Sequence, residues 1–305
     1  MRIISLIPSS TEIVCALGYQ DQLVGRSHEC DFPKGIEQLP ICSEPKFNPD
    51  IGTSREIDDL VKTIVRDSLS VYRVDTDKLK QLKPDIIITQ AQCEVCAVSI
   101  NDVKRAVSDW LDAKPQIVSL EPNSLDDLWL GIKQVAEALG NFQKGFELVK
   151  LYESRMSEIV NKAQQCKDRP SVVCIEWIDP LMAAGNWMPE FIEMLGGNNL
   201  FGETGKHSPK MTWGELKRKD PDIIIGMPCG WGIDRCRQEM KTLTSKSDWS
   251  ELKAVRKGRV YLTDGHQYFN RPGPRLVESL EILAEIMYPD FINYGHKGKG
   301  WQQLQ

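Results

Sequence analysis

Short, mostly apolar runs recur along this chain: 3–7, 23–26, 71–74, 86–88, 117–120, 172–177, 223–225 and 260–263, of which 86–88 and 223–225 are apolar at every position. A strand apolar on both faces suits a parallel sheet covered by helices, whereas a half-exposed strand would alternate. Most of the intervening segments carry helical signals. Helices are expected over 54–65, 75–82, 99–111, 189–195, 212–218, 233–243 and 249–255, with a last one running to Met287. Ser9 and Glu12 stand at the spacing of a capping box and predict a helix to about Leu17, stopped by Gly18. From Ser124 to about Lys167 the pattern is almost wholly helical, with a break near Leu139-Gly140-Asn141. Leu125, Leu128, Ile132, Val135 and Leu139 step by three and four, and Phe146, Val149, Tyr152, Met156 and Ile159 continue the stripe. Residues 33–53 are turn-rich, and the glycines and lysines after Tyr294 predict a loosely ordered tail.

One pattern occurs twice. Leu79-Lys80, three residues, then Pro84-Asp85-Ile86-Ile87-Ile88 recurs as Leu216-Lys217, three residues, then Pro221-Asp222-Ile223-Ile224-Ile225. In each copy a short helix ends before a proline that cannot continue it, and a buried strand begins at once. The duplication predicts an α/β chain with two Rossmann-like lobes built on parallel-rich sheets: 1–122, a helical connection over 123–169, 170–290, and a tail over 291–305. A long helix between the lobes would act as a stiff spacer where a Gly/Ser linker would hinge. Ligands of open parallel sheets sit beyond the carboxyl ends of the strands, so two facing lobes would enclose a cleft.

Composition narrows the function classes. The 305 residues are 41% hydrophobic and 27% charged, ordinary for a globular chain. A net charge of −5 offers no basic footprint for nucleic acid, and no apolar run reaches the roughly 18 residues of a membrane span. The chain passes from Met1-Arg2 straight into its first strand without the pattern of a secretory leader, which reads as a cytoplasmic protein. Nine cysteines then point to free thiols, metal ligands or catalytic groups in place of a disulfide framework. Cys15, Cys166 and Cys174 sit in apolar contexts and read as buried structural thiols.

The remaining chemistry falls just beyond the expected strand ends. His28, Cys30, Cys93, Cys96 and Cys229 could converge on one site. Zinc or iron would accept such ligands, but Cys93-x-x-Cys96 supplies half a tetrahedral set, and His28 is the nearest further candidate. The same pair lies between a strand and a helix, as redox pairs do. Small core or cleft-wall residues are a third reading. Glu176 ends a strand, where it would serve as an acid or base or as a carboxylate paired with arginine. Arg271 and Arg275 flank Pro272-Gly273-Pro274 at a helix start, a place either for recognising carboxylate, amide or phosphate groups or for a rigid N-terminal stop. Trp177, Trp187 and Trp231 lie at strand ends or in the loops after them and could stack on a flat ligand, while Trp110, Trp129 and Trp249 fall in helices and read as core.

The stretch Arg2 to Pro33 (RIISLIPSSTEIVCALGYQDQLVGRSHECDFP), the paired PDIII strands, the helical connection and Leu195-Gly196-Gly197-Asn198-Asn199 together resemble the helix-linked (class III) substrate-binding proteins of ABC importers. Within that group the chain looks most like the cobalamin-binding branch, and the resemblance covers nearly all of it. It implies two Rossmann-like lobes bridged by one rigid helix, and non-catalytic binding of cobalamin or a related corrinoid between them. The implied lining is Ser9, His28, Cys30, Gln90, Cys93, Glu176, Trp177, Trp187, Cys229, Trp231 and Arg271, with His28 or Cys93 able to take an axial position on cobalt. The group's transporters are docked by a carboxylate on each lobe, which here points to Asp77 and to Glu215 beside the matching Gly214. Joined to the missing leader, the resemblance yields a cytoplasmic variant of that branch. The alternative is a metal- or thiol-dependent enzyme using His28, Cys93, Cys96 and Glu176 in the same cleft.

Overall fold

The computed structural model describes residues 1–48, 51–66, 71–90, 100–108 and 114–304. These divide into two compact units, Met1–Gly52 with Glu56–Leu151, and Thr53–Arg55 with Tyr152–Gln305.

The first unit runs β1 (Ile3–Ser5), α1 (Pro8–Ala16), β2 (Leu23–Arg26), β3 (Ser43–Pro45), α2 (Ser54–Arg66, whose first two residues belong to the second unit), β4 (Tyr72–Val74), α3 (Thr76–Leu82), β5 (Ile86–Gln90), α4 (Ile100–Ser108), β6 (Gln116–Leu120) and α5 (Leu125–Ala138). The next helix, α6 (Phe142–Gln164), starts in it, and the division between the units falls within that helix. Its main sheet is wholly parallel in the order β2-β1-β5-β6, with Ile3 opposite Ile86 and Ile86 opposite Gln116. The continuous apolar runs are explained by that sheet, because every residue of β1 and of β5 is buried. Ile4, Leu6, Leu79, Ile87, Val103 and Val107 share one core cluster. Each fully buried aliphatic side chain of this kind contributes about 1.5–3 kcal/mol.

The second unit runs β7 (Ser171–Trp177), β8 (Met182–Ala183), α7 (Met188–Met194), β9 (Asn198–Asn199), α8 (Trp213–Lys219), β10 (Ile223–Gly226), α9 (Ile233–Glu239), α10 (Lys241–Thr244), α11 (Lys253–Arg256), β11 (Val260–Thr263), α12 (Leu276–Met287) and β12 (Trp301–Gln303). Its sheet has the order β12-β11-β10-β7-β8, with β9 also on β7. The β7, β10 and β11 strands are parallel, and the outer β8 and β12 run antiparallel to their neighbours.

The duplicated sequence builds the same device in both units. The helices α3 and α8 each end on a left-handed residue, Lys83 (φ 43°) and Asp220 (φ 39°), whose N–H closes the last turn onto Leu79 or Leu216. The aspartate after the proline then ties down the start of the neighbouring strand. Asp85 Oδ2 accepts from the Arg2 N–H at 2.7 Å, and Asp222 Oδ2 accepts from the Ser171 N–H at 2.9 Å. In return the Asp85 and Asp222 amides donate to the Arg2 and Ser171 carbonyls. The Pro-Asp pair is therefore a strand-alignment motif as well as a helix stop.

Two expectations are corrected. Ser9 and Glu12 form no capping box: Pro8 occupies the first turn, its fixed φ starts the helix a step earlier, and Ile7 is the N-cap without a side-chain bond. The chain after Tyr294 is ordered. Glu285 of α12, 2% exposed, accepts from the backbone amides of Tyr294, Gly295 and His296 and from the Trp301 indole, and β12 adds to the sheet beside β11. Among the described residues no helix is long and apolar enough to cross a membrane.

Candidate functional site

In the first unit the ends of β1 and β2 carry a buried hydroxyl and thiol network. Ser5 Oγ lies 2.6 Å from Ser10 Oγ and accepts from Thr11 Oγ1 at 2.7 Å, while Thr11 Oγ1 also stands 3.1 Å from Cys30 Sγ. Ser9 is buried in the first turn of α1, and Gln90, the last residue of β5, is buried opposite Leu120. His28 follows β2 and is half-buried. Its Nδ1 sits 3.2 Å from Ser43 Oγ and its ring packs at 5.3 Å on Tyr72. Burial holds the imidazole below its ordinary pKa, with the Ser43 contact opposing, so the ring is neutral near pH 7. Its Nε2 is buried and has no hydrogen-bond partner among the described residues; the nearest charge is Glu29 at 3.9 Å.

In the second unit three neighbouring strand ends bring the expected residues together. The chain leaving β10 keeps pairing with β7, since the Met227 and Cys229 amides donate to the Ile175 and Glu176 carbonyls. That places Cys229, half-buried, beside Glu176. The chain leaving β11 makes one π-helical turn, Gly265–Phe269, whose His266 amide donates to the Trp231 carbonyl. Gly265 is required there, because a Cβ would lie 2.2 Å from the Pro228 carbonyl oxygen. Single π turns of this kind recur at functional sites. Arg271, 6% exposed, donates to His266 Nε2 at 2.7 Å, and Arg275 donates to Gln267 Oε1 at 2.6 Å.

Glu176 accepts from the Ser208 hydroxyl at 2.8 Å, and Ser208 in turn accepts from the Gly185 amide. Burial pushes the Glu176 carboxyl above the ordinary range, against the pull of Ser208. The Trp177 and Trp231 rings meet at 4.7 Å, tilted by 32°. Trp231 is 6% exposed and also carries the Arg235 guanidinium 5.0 Å from its ring centre, so its faces are engaged within the protein. Trp177 is part-buried, with its indole N–H donating to the Ser54 and Asp179 carbonyls, both at 3.2 Å. Trp187 is a core residue: it is 5% exposed and its indole N–H donates to the Phe269 carbonyl.

Cys93 and Cys96 lie outside the described residues. Among the described residues, no three His, Cys, Asp or Glu side chains form a group able to hold a metal ion. Asp77 is exposed in the first turn of α3, where Asp75 is the cap. The Glu215 carboxylate accepts from both the Thr212 amide and hydroxyl at 2.7 Å in a capping box, which holds it below its ordinary pKa. Sequence reasoning missed Ser208, Arg235 and Glu239. The i,i+4 spacing of Arg235 and Glu239 was a usable signal; Ser208 stands 32 positions from Glu176 and had none.

Residues 3–266 match the family described as periplasmic binding protein. The chain belongs to that family. Its fold is that of the helix-linked (class III) substrate-binding proteins, and its function is non-catalytic binding of a substrate. It is 28% identical over 296 residues to the uncharacterized ABC transporter substrate-binding lipoprotein YvrC of Bacillus subtilis, covering 95% of this chain and 80% of the relative. It is 22% identical over 298 residues to the vitamin B12-binding protein of Vibrio vulnificus, covering 93% and 89%. Among solved structures it is similar to the periplasmic heme-binding protein RhuT of Roseiflexus sp. RS-1, with a TM-score of 0.68, 22% identity, and 94% and 98% of the two chains covered.

These findings overturn the cytoplasmic expectation. A periplasmic family and a lipoprotein relative are extracytoplasmic. The expectation rested on the first residues of the sequence, and they carry no information about what precedes them.

Proposed function

We propose that this chain binds a corrinoid or a related metal macrocycle outside the cytoplasm and presents it to an ABC transporter. The observation that carries the reading is Trp177. Its indole N–H is bonded to backbone carbonyls and Trp231 backs its ring, yet the residue is only part-buried beside Glu176 and Cys229. An indole held in this way is a preorganised platform for a flat ligand, and aromatic stacking adds about 0.5–1.5 kcal/mol beyond the area it buries. The relatives that bind vitamin B12 or heme support the ligand class.

Two further groups fit this chemistry. A neutral imidazole whose buried Nε2 has no described partner suits an axial position on the metal, and it binds without first losing a proton. Ser9, Cys30, Gln90 and Cys93 are proposed ligand contacts of the first unit; Glu176, Cys229 and Arg271 complete the proposed lining beside Trp177 in the second. Trp187 and Trp231 support it from the core. Asp77 and Glu215 are the proposed transporter contacts. Glu215 already caps α8, and the pairing would be confirmed by a charge-reversal rescue.

The test is a titration of chelator-washed protein with hydroxocobalamin, cyanocobalamin and hemin, read by visible absorbance and tryptophan fluorescence. Saturable quenching by at least one probe is expected, weakened about tenfold by Trp177→Ala, or about 1.4 kcal/mol. A band shift lost in His28→Ala assigns the axial ligand. Binding of none of the three defeats the reading.

A further inference from the structure

Around Trp177 the second unit closes a ring of five residues. The Trp177 indole N–H donates to the Ser54 carbonyl, its ring meets Trp231, and Trp231 carries the Arg235 guanidinium. Arg235 pairs with Glu239 at 3.0 Å, and Glu239 Oε2 accepts from the Ser54 amide at 3.0 Å, which returns the circuit to its start. Ser54 and Glu239 are 1% and 8% exposed. A second tie holds the same corner: Arg55 pairs with Asp179, whose carbonyl also accepts the Trp177 N–H.

The arrangement exceeds what burial of a tryptophan requires. Ser54 opens α2, and its amide would be satisfied by water at an exposed helix start. Here it is buried against a carboxylate donated by α9, a charge-assisted bond of the stronger kind. The same carboxylate orients the guanidinium above Trp231. One side chain thus governs both the backbone group that holds the Trp177 N–H and the ring that backs its face.

We infer that Glu239, acting through Ser54 and through Arg235 and Trp231, is a positioning residue that sets the Trp177 indole for the flat ligand. The inference rests on the function proposed above and deepens it: affinity for a macrocycle is tuned from a residue that need not touch it. Preorganisation of this sort improves affinity by removing the ordering that binding would otherwise require.

The test uses the full chain and two variants that break the ring at different points. Glu239→Leu removes the acceptor for Ser54 and the partner of Arg235. Ser54→Pro removes the amide donor, together with the hydroxyl, and leaves the Arg235–Glu239 pair in place; it lies at the first position of a helix, where proline is tolerated. Each is read by the far-UV exciton circular dichroism of the Trp177–Trp231 pair and by affinity for hydroxocobalamin, cyanocobalamin and hemin. The expected result is a weakened exciton signal and about tenfold weaker binding in both variants. Neither should weaken binding further in a Trp177→Ala background, because a residue acting through Trp177 loses its effect once Trp177 is gone. An unchanged exciton signal, unchanged affinity, or losses that add to that of Trp177→Ala would each overturn the inference. A wild-type protein that binds none of the probes defeats the functional reading itself, an outcome distinct from a wild type that binds while Glu239→Leu binds equally well.

Discussion

Replacing Glu285 with alanine should release the end of the chain. Its carboxylate, buried within α12, collects four donors: the Tyr294 amide, the Gly295 amide at 2.6 Å, the His296 amide at 3.2 Å and the Trp301 indole at 2.6 Å. Hydrogen bonds to a charged acceptor contribute about 1.5–3 kcal/mol each, so a simple sum approaches about 10 kcal/mol. That sum is not what the variant would lose. Once the orphaned donors cost more than letting the segment go, the tail detaches and water satisfies them. The loss is therefore capped by what else secures the tail, chiefly the burial of Trp301, 5% exposed, and the three-residue pairing of β12. Burying one large apolar side chain is worth about 1.5–3 kcal/mol, so the expected change is about 3 kcal/mol and confined to this region. At 1.4 kcal/mol per decade that is roughly a 100-fold rise in local opening. Native-state hydrogen exchange of the 301–303 amides measures it directly. Glu285→Gln should fall between, since its amide keeps one acceptor oxygen and turns a donor toward the others. Protection of β12 in Glu285→Ala within about threefold of wild type would refute the claim that this carboxylate holds the tail.

Three further outcomes follow from the geometry. His296 Nε2 pairs with Glu281 Oε2 at 2.8 Å, a bond that, with the nearby carboxylates, raises the imidazole above its ordinary pKa of 6.5. Its stabilisation is complete below about pH 6.5 and is lost as pH rises through the folded value. The gap in urea midpoint between wild type and His296→Gln should thus shrink between about pH 6 and pH 9; a gap that widens contradicts the pairing. For Asp222, burial raises the carboxyl but the bonds from Lys253 and Ser171 outweigh it, lowering the pKa from 3.8 to about 2. Its contribution is present above the unfolded value and lost as pH falls toward the folded one, and Asp222→Asn should cost about 1 kcal/mol at neutral pH in chemical denaturation. Gly265→Ala drives a methyl against the Pro228 carbonyl and should destabilise by about 2 kcal/mol or more while displacing the His266–Arg271 pair; a melting temperature equal to wild type would rule that clash out.

Much of the fold was legible because its signals are local. A proline that stops a helix and an apolar run that must be buried on both faces lie within a few residues of one another, and they located β5 and β10 with the helices before them. The strand-end positions of the second unit were legible for a related reason: residues just past parallel strands meet at one edge, where Glu176, Trp177, Cys229, Trp231 and Arg271 fall, whereas Trp187, named with them, is a core residue. What was not legible depends on distant partners. The Ser54 amide meets Glu239 across 185 positions, and nothing near either residue announces the other. The tail was misread because glycines and lysines resemble a frayed end. Its anchor lies in α12, where Glu285 interrupts LEILAEIM, a sequence buried almost throughout. A charge inside a helix that is apolar all round must have found partners, and that was the available clue.

The corrected location also changes the meaning of the cysteines. The chain belongs to an extracytoplasmic family, yet Cys15, Cys42, Cys166, Cys174 and Cys236 are free thiols. Thermodynamic pressure toward disulfides there is met by a kinetic barrier built into the fold. Exchange and oxidation proceed through the thiolate, and burial suppresses it. The Cys15 and Cys236 thiols are pushed up to about 12 and that of Cys42 to about 11, while Cys166 and Cys174 are raised by the same cause. At a pKa of 12 the thiolate fraction near pH 7 is on the order of one in 100,000, against a few per cent for an ordinary cysteine. These side chains act as small apolar packing groups: Cys42 joins the core of the first unit with Ile4 and Leu79, and Cys236 that of the second with Ile224 and Met240. Free cysteines are thus compatible with an oxidising environment when the core that buries them also withholds the reactive form.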